Sequence, residues 1–70
     1  MNKKRFVEFY LTACIRAATG GRVSSLGYLY YDLHRQEVIV IHFSDGERRQ
    51  VPITNSGLPE IMQSVLAGIA

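Results

Sequence analysis

The fold is decided by residues 26–54, which read LGYLYYDLHRQEVIVIHFSDGERRQVPIT. Residues 26–33 are rich in aromatic side chains, and residues 38–44 begin with four β-branched residues in a row. Both compositions are typical of β-strands. The polar residues 34–37 separate the two segments and predict a turn. The first part of the stretch therefore predicts an antiparallel hairpin.

A third strand is predicted over residues 47–54. It follows Asp45-Gly46, a dipeptide typical of tight hairpin turns because glycine accepts positive φ. Pro52 has no N–H group and cannot donate a hydrogen bond between strands, which favours an edge position. The whole stretch thus predicts a three-stranded antiparallel meander with residues 38–44 in its centre.

A helix is predicted on each side of the meander. Polar side chains recur at four-residue spacing on one face of residues 6–19, and apolar side chains occupy the other face. The alternative for this segment is a strand, since the odd-numbered positions from 7 to 17 are all apolar, but fourteen residues are long for a strand and ordinary for a helix. Residues 57–68 carry a second apolar stripe: Ile61, Met62, Val65, Leu66 and the adjoining Ile69. The prediction is a single small α+β domain with the order helix, three strands, helix.

The composition bounds the possible functions. The chain has 70 residues, enough for one domain, and its 47% of hydrophobic residues argues against disorder. A net charge of +2 is too small to indicate nucleic-acid binding by itself. The lone Cys14 excludes an internal disulfide and lies on the apolar side of the predicted first helix, where it behaves as a small hydrophobe. No segment resembles a membrane span or a signal peptide, so a cytoplasmic location without membrane contact is expected.

The faces of the predicted sheet depend on the turn at Asp45-Gly46. A two-residue turn, the favoured alternative, sets Val40 opposite Val51. Combined with a four-residue turn over residues 34–37, this register gives one face that is apolar on all three strands. That face is the predicted core: Leu29, Tyr31, Leu33, Val38, Val40, Val51 and Ile53. A three-residue turn with a bulge at Gly46 would shift the third strand by one residue and exchange its faces.

The opposite face of the predicted sheet is left for a partner. It carries Tyr28, Tyr30, Ile39, Ile41 and Phe43, with Arg48 and Gln50 at its margin. A small domain rarely leaves such an apolar patch bare, so either the first helix covers it or it forms an interface. The interface alternative predicts a non-enzymatic protein-interaction module that self-associates as a homodimer, or binds another protein, through these residues.

No catalytic, metal-binding or cofactor-binding residue is predicted. His42 lies beside Arg49 in the favoured register, and a neighbouring cation disfavours the imidazolium that a general base must form. The chain lacks a Cys/His cluster at zinc spacing. Its carboxylates between residues 32 and 47 lie in or beside predicted turns, where acidic residues are common for backbone reasons. Binding is therefore predicted in preference to catalysis.

Nucleic-acid binding is the alternative function. A sheet face with aromatic and arginine side chains can stack single-stranded bases, and the candidates are Tyr28, Tyr30, Arg35, Phe43 and Arg48. The order helix, three strands, helix is also similar to that of the double-stranded-RNA-binding domain. That family binds through a lysine cluster at the start of its last helix, whereas the matching residues 56–60 contain no basic residue. The resemblance therefore implies a similar shape and gives little support to RNA binding.

Overall fold

Three antiparallel strands form a single sheet, and along the chain one helix precedes them and another follows them. In the computed structural model, which describes residues 2–54 and 56–70, the strands follow one another in space as they do in the chain. They are β1 (Val23–Tyr31), β2 (Gln36–Phe43) and β3 (Arg48–Pro52), and they are followed by helix α2 (Leu58–Ile69). The predicted α+β fold, with a helix, a three-stranded meander and a second helix, is confirmed. β3 is an edge strand, as Pro52 predicts.

The first helix, α1, spans residues 3–18 and changes its winding along its length. It has three parts in chain order: α-helical Lys3–Arg5, π-helical Phe6–Leu11 and α-helical Thr12–Ala18. Where the π-helical part ends, the hydroxyl of Thr12 donates to the carbonyl of Val7, five residues back, at 2.9 Å. Gly20 and Gly21 follow the helix with φ of 61° and 85°, the left-handed conformation of a helix cap. The segment is therefore a helix and not the alternative strand.

The first hairpin turns two residues earlier than predicted. Leu29 pairs with Val38, so the turn occupies residues 32–35 instead of residues 34–37. Arg35 takes a positive φ of 48° in this turn. Because the shift is even, the side chains of β1 and β2 keep the faces that the sequence predicts for them.

The second hairpin has the register of the alternative three-residue turn. Val40 pairs with Gln50, so the predicted pairing of Val40 with Val51 was wrong. A backbone hydrogen bond of 2.8 Å closes the turn over residues 44–46, and Gly46 accommodates the extra residue with φ of 95°. This one-residue shift exchanges the two faces of β3.

Both helices pack on one face of the sheet, which we call the covered face. The sheet contributes Val23, Leu26, Ile39, Ile41 and Phe43 to the core, with Ile53 just after β3, and partly buried Tyr28 and Val51 pack against them. The helices contribute one residue per turn at four-residue spacing: Val7, Leu11 and Ile15 from α1, and Ile61, Val65 and Ile69 from α2. The core thus lies between the sheet and the two helices.

The predicted core was wrong in its choice of face. Of its seven residues only Val51 and Ile53 contribute to the core between sheet and helices. Leu33 lies in the first turn and is 91% exposed. The other four residues lie on the opposite side of the sheet: Leu29, Tyr31, Val38 and Val40. The physical reason is that β2 is apolar on both sides, so the register of β3 decides which side the helices cover.

The last turn of α2 is held close to the sheet. A Cβ atom at Gly68 would lie 2.7 Å from Val51 Cγ2 and 3.2 Å from Ile41 Cδ1. Arg49 Nη1 donates to the carbonyl of Gly68 at 3.0 Å, and its Cζ lies 4.8 Å from the centre of the Phe43 ring. A cation at this end of a helix is stabilised by the free carbonyl groups. α2 is therefore fixed over β2 and β3.

Candidate interaction surface

The side of the sheet that points away from the helices is only partly exposed, since Val38 on it is buried, and we call this side the open face. Directly paired residues of antiparallel strands share a face, so Val40 shares the open face with its partners Gly27 and Gln50. Alternate residues along each strand extend the surface. Its members are Ser25, Gly27, Leu29, Tyr31, Gln36, Val38, Val40, His42, Arg48, Gln50 and Pro52. The open face thus has apolar side chains in the middle of β1 and β2, and its polar side chains lie on β3 and towards the strand ends.

A shallow cavity of about 620 Å³ lies on the open face. Leu29 and Val40 line it with apolar atoms, and His42 and Gln50 add polar groups. Gly27 occupies the point where a side chain would otherwise project into this space. A Cβ there would meet one neighbouring atom within 4 Å, His42 Nε2 at 3.8 Å. An added Cβ at position 27 would therefore make only an ordinary van der Waals contact with His42.

Opposite charges flank the cavity. Glu8 extends from α1 to the β1 side, where its Oε2 accepts a hydrogen bond of 3.2 Å from the backbone N–H of Tyr28. Arg48 is exposed on the β3 side of the same cavity. The open face therefore has a negative side and a positive side, with the apolar part of β2 between them.

The helix α1 also covers the outer edge of β1. The backbone N–H of Leu26 donates to Thr12 Oγ1 at 3.2 Å, next to the bond between Tyr28 and Glu8. Thr12 and Glu8 belong to the polar face that the sequence predicts for this helix. Their role is to satisfy the N–H groups of an edge strand, which would otherwise be available to another strand.

The structure divides the predicted interface residues between the two faces. Ile39 and Ile41 are fully buried and Phe43 is 5% exposed, all three beneath the helices. The expected exposed patch was therefore wrong for these residues, because the register of β3 places them on the covered face. Arg48 and Gln50 are exposed on the open face.

Tyr28 lies on the covered face, where its hydroxyl donates to Glu37. Lys3 Nζ approaches the other carboxylate oxygen of Glu37 at 2.9 Å, which links α1 to β2. Burial of the phenol, together with the hydrogen bond to Glu37 and the charge of that carboxylate, raises the pKa of Tyr28 to about 12. Tyr30, on the same face, is 52% exposed. The contacts of Tyr28 hold the fold together and leave it outside the open surface.

Several residues of the candidate surface were not predicted as members of a site. They are Glu8, Gly27, Leu29, Val40 and His42. Leu29 and Val40 were assigned to the core, an error that follows from the favoured two-residue turn. Two features of the sequence indicate this surface. One is the alternative bulge at Gly46, and the other is Gly27, because a glycine inside a strand often marks a bulge, a bend or the close approach of a ligand or another backbone.

Other residues discussed from the sequence do not gather into a site. Cys14 is exposed and not on the apolar side of α1, because the buried residues of that helix are Val7, Leu11 and Ile15. Of the five candidates for stacking nucleic-acid bases, Tyr28 and Phe43 face the helices and Arg35 lies in the first turn. Only Arg48 is on the open face.

Comparison of the chain with protein-family models, with curated protein sequences and with solved structures finds no match. Within residues 2–54 and 56–70, no helix is both long and apolar enough to cross a membrane.

Proposed function

We propose that this chain is a non-enzymatic protein-interaction module that self-associates through its open face. The observation that supports the proposal is that both helices pack on one side of a sheet whose central strand is apolar on both sides. Leu29 and Tyr31 are 42% and 43% exposed on the open face, and Leu29 pairs there with Val38. Apolar side chains grouped within a polar rim are typical of interaction surfaces.

Charge complementarity selects a second copy of the chain as the partner. Two open faces can pack against each other about a two-fold axis that runs parallel to the strands. This arrangement sets β1 of each copy over β3 of the other, so Glu8 of each copy faces Arg48 of the second copy. A two-fold interface brings the same contact twice, which doubles its contribution.

The size of the open face predicts a weak association. Three strands about 4.8 Å apart and the eight residues of β2 at about 3.3 Å each give a face of roughly 400 Å². Stable complexes bury about 800 Å² on each partner. We therefore expect a dimer with a Kd of roughly 10 μM to 1 mM.

Sedimentation equilibrium over about 10 μM to 1 mM protein tests this function. We expect the mean mass to rise from monomer towards dimer. Val40→Glu, which places a charge in the centre of the open face, and Arg48→Glu, which opposes Glu8, should both keep the chain monomeric. Ala17→Glu, an exposed substitution on α1, is the matched control and should dimerise like the parent chain. A monomer throughout, or dimers that tolerate both open-face variants, would contradict the proposal.

A further inference from the structure

The two edge strands of the sheet, β1 and β3, differ in the hydrogen bonds that their outward-facing N–H groups make. On β1, the N–H groups of Leu26 and Tyr28 already donate to side chains of α1, at 3.2 Å each. On β3, hydrogen bonds of Phe43 with Glu47 and of Ile53 with Glu37 show which groups of the strand point towards β2. The alternation of an antiparallel ladder then directs the intervening residues 48, 50 and 52 outwards.

The outward-facing groups of β3, which we call the free edge, form a short pairing site. Arg48 and Gln50 each present an N–H group and a carbonyl, and Pro52 presents a carbonyl alone. In the described part of the chain, no side chain accepts a hydrogen bond from either N–H group. An extended strand could therefore add to the sheet at this edge with a ladder that ends at Pro52.

The charge of β3 indicates what kind of strand fits. β3 reads RRQVP and contains no acidic residue. Arg49 Nε forms an ion pair with Glu47 Oε1 at 2.9 Å, and Arg49 Nη1 donates to the carbonyl of Gly68 at the end of α2. The Arg48 side chain, in contrast, is exposed. A second β3 would bring four arginines to one seam, and like charges on neighbouring strands oppose pairing. An acidic strand meets no such opposition.

We infer that the free edge of β3 binds an extended, acidic segment of a partner protein as a fourth, antiparallel strand. The partner places an acidic side chain opposite Arg48 on the open-face side. Opposite Val51, which is half-buried on the covered-face side, it places a β-branched apolar side chain. The backbone provides the pairing, and these two positions provide the selectivity. The pairing itself uses the backbone edge of β3 and not the open face of the proposed dimer, although the Arg48 side chain takes part in both.

The experiment measures by NMR how fast individual backbone amides of the chain exchange their hydrogen with solvent, with and without a synthetic peptide. The peptide has about six residues and uncharged, chemically capped termini, and in its sequence valine and threonine precede two glutamates. At a peptide concentration about tenfold above its Kd, the Arg48 and Gln50 amides should exchange about tenfold more slowly. The Leu26 and Tyr28 amides, already bonded to α1, should change little.

Two controls separate strand pairing from simple attraction between charges. A peptide of the same sequence with N-methyl groups on alternate amides keeps its charge but cannot form the ladder, so it should give no protection. Gln50→Pro removes one donor of the free edge and should abolish binding, whereas Gln50→Thr keeps the donor and should bind normally, both with unchanged circular dichroism. Should the proline variant fail to fold, the N-methylated peptide still decides.

Three results would overturn the inference. The first is unchanged exchange at Arg48 and Gln50 in the presence of saturating peptide. The second is equal protection by the N-methylated peptide, which would leave charge alone as the cause. The third is slow exchange of both amides in a dimeric chain without peptide, which would identify a second copy as the occupant of the edge.

Discussion

The covered face and the open face of this sheet have nearly the same central strand and very different surroundings. Ile41 is fully buried on the covered face, whereas Val40, its neighbour in β2, is half-buried on the open face. The difference comes from β3, which contributes Val51 to one side and Arg48 and Gln50 to the other. An apolar central strand therefore does not define the core: the polar residues of the neighbouring edge strand mark the side that stays open.

The largest difference in stability is expected when Ile41 and Val40, neighbours in β2 on opposite faces, are each replaced by alanine. Ile41→Ala removes a fully buried side chain from the core and should lower the free energy of unfolding by about 2–5 kcal/mol. Val40→Ala should cost about 1 kcal/mol, since the Val40 side chain is only half-buried and leaves no enclosed cavity. Denaturant unfolding of both variants gives the two values. Equal costs would mean that the two faces are equally well packed, contrary to the structure.

A smaller effect is expected where α2 meets the covered face. Gly68→Ala improves helix propensity by about 1 kcal/mol, but the new methyl group would lie 2.7 Å from Val51 Cγ2. Overpacking of this kind costs about 1–3 kcal/mol, so we expect a net loss of about 1 kcal/mol in the free energy of unfolding. Thermal and denaturant unfolding provide the measurement.

The partner variant for this contact is Val51→Ala, which removes the atom that the new methyl group would meet. The double variant Gly68→Ala/Val51→Ala should lose less stability than the sum of the two single variants. Strict additivity would show that α2 does not approach β3 as closely as the structure has it.

Most of the fold could be predicted from local sequence, because strands and helices follow from composition and spacing. The aromatic and β-branched segments became β1 and β2, and residues 6–19, with their four-residue polar repeat, became part of the helix α1. The choice of face could not be predicted in the same way. It depends on a single extra residue at Gly46, which costs little locally but moves every side chain of β3 to the other face.

The turn at Gly46 also decides which residues form the candidate surface. With the predicted two-residue turn, Arg48 and Gln50 would have bordered Ile39 and Ile41, and the expected interface would have been a different set of residues. The contacts of Glu8 and Thr12 with the edge of β1 could not be predicted from the sequence, because they depend on where α1 lies relative to the sheet. Both residues could be placed on the polar face of the helix, but not against a backbone.

A pH-dependent effect is expected for a tyrosine on the covered face and not for one on the open face. The pKa of Tyr28 is raised to about 12 by burial and by Glu37, compared with about 10 in the unfolded chain. The folded state thus holds the phenol proton more tightly, so its contribution to stability is complete below pH 10 and is lost as the pH rises towards 12. Tyr28→Phe should flatten the fall of unfolding free energy between these pH values and remove an absorbance step near pH 12 that reports phenolate formation. Tyr31→Phe, on the open face, should leave both features in place. If Tyr28→Phe left the alkaline fall unchanged, the hydrogen bond to Glu37 would have no part in holding the covered face.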